Sequence, residues 1–248
     1  MMYKKTTFTL FVICLLLPSQ VFATQFIPYD MGITQPKDPK ICILDNSAQA
    51  DAFNFTQSVL TNISTKLNYI TRSHDWDINL SIIDIMHMTD CNITFVYTLQ
   101  RSDPISFKEP ITHKPIQGHI LGYTSCDPET FAHTYCEIDI FLLNNNKQYL
   151  FTTVEHEFLH ALGLGHRQGD TERDMMRAFL SDDLMYPSAK TFQHLTTVDI
   201  LAIIHLYGFH GFHVIDSSKM PQSYVIPYST SVKEYCNGIN GTICIAHF

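Results

Sequence analysis

Basic residues are scarce in this 248-residue chain: 16 Lys and Arg stand against 24 Asp and Glu, a net charge of −8. That balance argues against a nucleic-acid partner held through a basic surface. Glycine and proline are also few, 10 and 11, which excludes a collagenous or low-complexity chain. No apolar run reaches the length of about 20 residues that a membrane-spanning helix needs, so no permanent membrane anchor is expected. No internal repeat is visible, and no CxxC pair offers the spacing of a structural zinc site. What is present, 45% hydrophobic and 12% aromatic residues, suffices for one domain of ordinary size, or two small ones, with a real core. Seven Cys and 13 His stand out, and both residue types bind metals.

Lys4 and Lys5 precede an apolar run from Phe8 to Leu17, followed by Pro18 and Val21-Phe22-Ala23. This basic, apolar, small-residue order predicts that 1–23 is a signal peptide cleaved near Ala23, and hence a secreted, extracellular protein. Cys14 leaves with the signal, so Cys42, Cys91, Cys126, Cys136, Cys236 and Cys244 remain. An even number in an oxidising compartment reads as disulfides, although six cysteines permit 15 connectivities. Sequence proximity favours Cys126–Cys136 and Cys236–Cys244, leaving Cys42–Cys91. Asn54, Asn62, Asn79, Asn92 and Asn240 each open an Asn-x-Ser/Thr triplet, a motif short enough to recur by chance.

Residues 24–40 contain three Pro and little periodicity, and read as an extended lead-in. Ile41 to Leu44 reads as a buried strand. From Asp51 to Leu67, Ala52, Phe55, Val59, Ile63 and Leu67 recur at helical spacing. Ile78 to Ile85 and Ile93 to Leu99 read as strands, 101–117 as a loop, and Ile120 to Thr124 and Glu137 to Leu143 as further strands. Asn144-Asn145-Asn146 opens a helical pattern that runs to about Leu162. This β-α-β-β-β-β-α order predicts an α/β or α+β domain, a twisted mixed sheet backed by helices. Residues 209–248 change character and read as a C-terminal extension, with Cys236 and Cys244 bracketing a turn that suits a disulfide hairpin.

Residues 156–166 read His-Glu-Phe-Leu-His-Ala-Leu-Gly-Leu-Gly-His. On a helix, His156 and His160 project from one face a turn apart and can share a zinc ion. Leu150, Val154, Phe158, Ala161 and Leu162 make the opposite face apolar. Glu157, beside the first ligand, can reach a metal-bound water without ligating. Gly163 can adopt positive φ, end the helix and turn His166 back to complete a three-His set with an open fourth position. By chance this five-residue pattern arises in roughly one such chain in ten thousand. A core helix with hydrogen-bonded histidines is the competing reading, and a lone His would favour it.

The HExxHxxGxxH pattern resembles that of the metzincin zinc peptidases, and Leu184-Met185-Tyr186-Pro187 resembles their Met-turn. The Met-Tyr-Pro form and the segment from Leu195-Thr196 to Tyr207-Gly208, with Asp199, are most similar to the matrixin branch. The resemblance covers about 41–208 and implies a zincin-like α+β catalytic domain with a long active-site helix, a Met-turn and a C-terminal helix. It implies one catalytic Zn²⁺ on His156, His160 and His166, Glu157 as general base, Gly163 and Met185 as structural support, and a monomer acting on protein or peptide substrates. In the family the substrate lies extended along the edge strand, here near Ile120 to Thr124. Arg167 after the third His, and eighteen residues between His166 and Met185, depart from the matrixin pattern. No Pro-Arg-Cys-Gly latency segment is present, so a cysteine-switch prodomain is not expected. Tyr186 directly follows Met185 and is not read as a ligand. Calcium has candidate oxygens in Asp170, Asp174, Asp182 and Asp183 but no recognisable loop pattern. His205, His210 and His213, or His113, His119 and His133, lack spacing that defines a second site. A non-catalytic zinc-stabilised adhesion or inhibitory domain is the alternative, which the intact Glu157 disfavours. A zinc hydrolase acting on something other than peptides is a third reading.

Overall fold

Strands and helices follow in the order β1 (Thr24–Pro28), β2 (Ile41–Leu44), α1 (Ala52–Thr71), β3 (Leu80–Ile83), β4 (Ile93–Thr98), β5 (Pro104–Lys108), β6 (Pro115–His119), β7 (Gly122–Asp127), β8 (Tyr135–Phe141), α2 (Lys147–Ala161), α3 (Thr197–Tyr207) and β9 (Ser223–Pro227). A short 3-10 helix, Ile85–Asp90, follows β3. The computed structural model describes residues 24–28, 35–36, 39–44, 51–71, 76, 78–100, 102–108, 114–127, 135–143, 147–166, 182–186, 193–207 and 223–227. The expected signal peptide and the expected Cys236–Cys244 hairpin lie outside the described residues.

Five strands form one sheet in the order β3-β2-β4-β8-β7. The first four run parallel, and β7 is antiparallel to β8. The sheet is therefore mixed, and the architecture α+β. Parallel neighbours need a crossover, which α1 supplies between β2 and β3. Ile41, Cys42 and Ile43 are all buried, the continuous apolar run of an inner strand. In β8, Cys136, Ile138 and Ile140 are buried while Tyr135, Glu137, Asp139 and Phe141 between them are half-buried. Val59, Leu60, Ile63, Leu67 and Ile70 of α1 are fully buried in the core that the helices share with the sheet. Truncating any of the Leu or Ile side chains to Ala removes about 2–5 kcal/mol.

Several segments differ from the sequence reading, among them the strand expected over Ile120 to Thr124, which runs over Gly122–Asp127 as β7. Residues 101–117 contain an antiparallel ribbon, β5 with β6, rather than an unstructured loop. Pro104 and Pro115 are the first residues of their strands, where a missing N–H is tolerated. The apolar run from Ile78 to Ile85 is strand only over Leu80–Ile83. There the Asp84 carboxylate accepts from the Met86 amide at 3.0 Å, a local turn that competes with further strand pairing. The lead-in and the C-terminal extension also meet, because β1 pairs antiparallel with β9.

Cys42 is bonded to Cys91, joining β2 to the residues just before β4. Cys126 and Cys136, directly opposed on β7 and β8, are also bonded. Two disulfides fit an oxidising compartment. Among the described residues, no helix is long and apolar enough to cross a membrane.

Candidate metal centre

Helix α2 packs against β7 and β8. Its back is anchored by Val154, Phe158, Leu159, Ala161 and Leu162, all buried, with Leu150 half-buried. Phe158 stacks on Phe95 of β4 at 6.4 Å between centroids. Beside this face, Glu155 is buried but accepts from Lys66 at 2.8 Å and Asn62 at 2.9 Å, both on α1, so its charge is compensated.

The end of α2 is shaped by Gly163, whose φ is 98°. The Gly163 amide bonds to the His160 carbonyl at 2.8 Å and the Leu164 amide to the Leu159 carbonyl at 3.0 Å. That pair of bonds is a Schellman motif, in which a left-handed glycine closes the helix. Two of the last carbonyls of α2, which no helical amide reaches, find partners from distant segments. The Gln35 side-chain amide donates to Ala161 O at 2.8 Å, and the Tyr207 hydroxyl donates to Leu162 O at 2.6 Å. Burial raises the Tyr207 hydroxyl above its usual range, so it stays a donor. His166 follows three residues after this turn.

The three histidines converge there. His156 Nε2 lies 3.0 Å from His160 Nε2 and 3.2 Å from His166 Nε2. The opposite nitrogens face acceptors: His156 Nδ1 lies 2.6 Å from Leu184 O, and His160 Nδ1 lies 2.6 Å from Leu164 O. A carbonyl only accepts, so both Nδ1 atoms carry the proton and both Nε2 atoms present lone pairs to each other. Lone pairs facing at this distance repel unless a cation lies between them. Burial, reinforced by the neighbouring rings, holds His156 well below its usual range and His160 at about 4. Neutral imidazole is the form that ligates metals. The triad could hold a metal ion, and among the described residues it is the single such group of His, Cys, Asp and Glu.

Residues 182–186 form a tight turn beside the triad, since Leu184 O is the acceptor for His156. Asp182 has φ of 51°, a conformation Asp tolerates better than most residues. Met185 is buried and belongs to the core cluster. Its amide donates to Asp183 Oδ1 at 2.9 Å, while Asp183 Oδ2 accepts from the Thr196 hydroxyl at 2.8 Å. Asp183 is fully buried, so it is a brace between the turn and the start of α3 and not a calcium ligand at the surface. Asp170 and Asp174 lie outside the described residues, as do His113, His133, His210 and His213. His119 Nδ1 lies 2.8 Å from Ser102 O in the ribbon region.

Glu157 faces β7. Its Oε2 accepts from the Thr124 hydroxyl at 2.8 Å, and Glu157 is buried, 6% exposed. Burial pushes its carboxyl up to about 7, against a smaller downward pull from Thr124. A Cβ on Gly122 would meet Glu157 Cγ at 2.6 Å, so the glutamate lies directly over that glycine. Gln35 was not legible as a site residue, Asp183 was legible only as a calcium candidate, and Gly122 and Thr124 only as part of an edge strand and not as neighbours of Glu157. Their signal is spatial, and the carbonyls of Leu164 and Leu184 carry no sequence signal at all. No protein-family model matches the chain, and no curated protein matches it in sequence.

Proposed function

We propose that this chain is a secreted zinc-dependent endopeptidase whose catalytic domain, over 41–208, resembles the metzincins and within them the matrixins. One observation carries the reading: three imidazole Nε2 atoms converge at the end of α2, next in sequence to a buried glutamate. The donor set fits zinc. Two nitrogens on a tetrahedral zinc at about 2.0–2.1 Å lie about 3.3 Å apart, close to the 3.0 and 3.2 Å separations here. Ligating histidines also commonly give their other ring N–H to a carbonyl, as His156 and His160 do. Three protein nitrogens leave a fourth position open, the arrangement of a catalytic rather than a structural zinc.

When bound, zinc supplies Lewis acidity toward a water molecule and toward the scissile carbonyl. The remaining steps fall to the chain. Glu157 takes the proton of the attacking water on its carboxylate and returns it to the leaving amine. Strand β7 lies at the edge of the sheet, and an extended peptide pairing with it runs past Glu157. Main-chain pairing of that kind binds peptides with little sequence selectivity.

Purified Glu157→Gln tests the reading. Zinc content is expected to stay at one ion per chain while cleavage of casein or an unstructured peptide falls about 10²–10⁴-fold. Full cleavage by a zinc-loaded Glu157→Gln protein overturns it. Zymography of the natural protein with and without a chelator asks more cheaply whether the chain cleaves protein and whether cleavage needs a metal.

A further inference from the structure

We propose that Thr124 is the positioning residue of Glu157, with Gly122 as its obligatory neighbour on β7; this rests on the peptidase reading above. Positions 122 and 124 lie on the same face of the strand, the one turned to α2. Thr124 is itself buried, 8% exposed. Its hydroxyl lies 2.8 Å from Glu157 Oε2 and 2.9 Å from the Glu157 backbone oxygen. Both acceptors belong to one residue and share the single hydroxyl hydrogen in a bifurcated bond, which holds the glutamate side chain close to its own backbone. A β-branched side chain has few χ1 choices, which keeps that hydroxyl aimed.

Gly122 completes the clamp by leaving space. A Cβ there would lie 2.6 Å from Glu157 Cγ, 2.9 Å from Thr153 Cγ2 and 3.0 Å from Glu157 Oε1. The collision involves the stem of Glu157 and a second β-branched side chain, neither of which can swing clear. With Oε2 held by Thr124, Oε1 is the oxygen left for proton transfer. The edge strand thus orients the base as well as offering its backbone to a substrate. The contact is made by the protein alone and is readable without any metal.

The test compares Thr124→Val, which keeps shape and loses the hydroxyl, with Thr124→Ser, which keeps the hydroxyl. Zinc-loaded Thr124→Val is expected to lose on the order of tenfold to a hundredfold in kcat, the range of a lost supporting hydrogen bond, with KM and zinc content unchanged. Thr124→Ser restores most of that loss, and Gly122→Ala lowers kcat similarly to Thr124→Val. On metal-free protein, Thr124→Val is expected to lower the urea midpoint more in the natural background than in Glu157→Ala. Thr124→Val at undiminished kcat, or strictly additive midpoint shifts, overturns the proposal. A wild-type protein that binds zinc and cleaves no peptide overturns the peptidase reading instead, and the midpoint coupling then still tests the clamp.

Discussion

The two edges of the five-stranded sheet are built differently. At one end β7 runs antiparallel, is bonded to β8 through Cys126–Cys136, and lies against α2 with Thr124 on Glu157. At the other end β3 runs parallel and leads into the short 3-10 helix, with Ile82 58% and Met86 83% exposed. The nearest disulfide there, Cys42–Cys91, sits one strand further in. The β7 edge meets α2 through side-chain bonds at the candidate site, whereas β3 is held by its pairing with β2 and by the Leu80 amide on Gln57 Oε1, with apolar side chains beyond standing in solvent.

Changes at the two edges separate these roles. His160→Ala, beside the β7 edge, is expected to lose metal affinity by more than the tenfold to hundredfold typical of a lost supporting hydrogen bond. Metal analysis after dialysis checks this, and Met86→Ser at the far edge should bind metal like the natural protein. Replacing Cys42 and Cys91 by Ser opens a loop of sequence separation 49 and is expected to cost about 4 kcal/mol in urea denaturation. Replacing Cys126 and Cys136 opens a separation of 10 and should cost less, about 3 kcal/mol. The order for cleavage by still-folded protein is the reverse: loss of Cys126–Cys136 lowers kcat/KM more, because it frees the strand that carries Thr124. Equal effects on cleavage would break the comparison. The smallest change is expected from Ile82→Lys, within about 0.5 kcal/mol of the natural protein in either direction and without effect on cleavage.

Much of this layout was legible along the chain. Periodicity predicted α1 and α2, and apolar runs predicted β2 and β4, because one-sided burial imposes a local period. Cys126–Cys136 matches a pairing favoured on proximity, and Cys42–Cys91 matches the pair that this left over. The β5–β6 ribbon was not legible, since each of its strands opens on a proline, a residue that reads as loop. Nor was the pairing of β1 with β9, whose strands lie almost two hundred residues apart in sequence.

The sequence by itself determined the register of His156, Glu157, His160, Gly163 and His166, because helical spacing and a glycine's access to positive φ are local properties. Only the tertiary structure decided what holds that register in place. Gln35 and Tyr207 close the end of α2, Leu184 O and Leu164 O orient two imidazoles, and Thr124 and Gly122 shape the seat of Glu157. Each of these is a hydrogen bond or a space whose partner, often a backbone atom, leaves no periodic trace, and most link segments far apart in the chain.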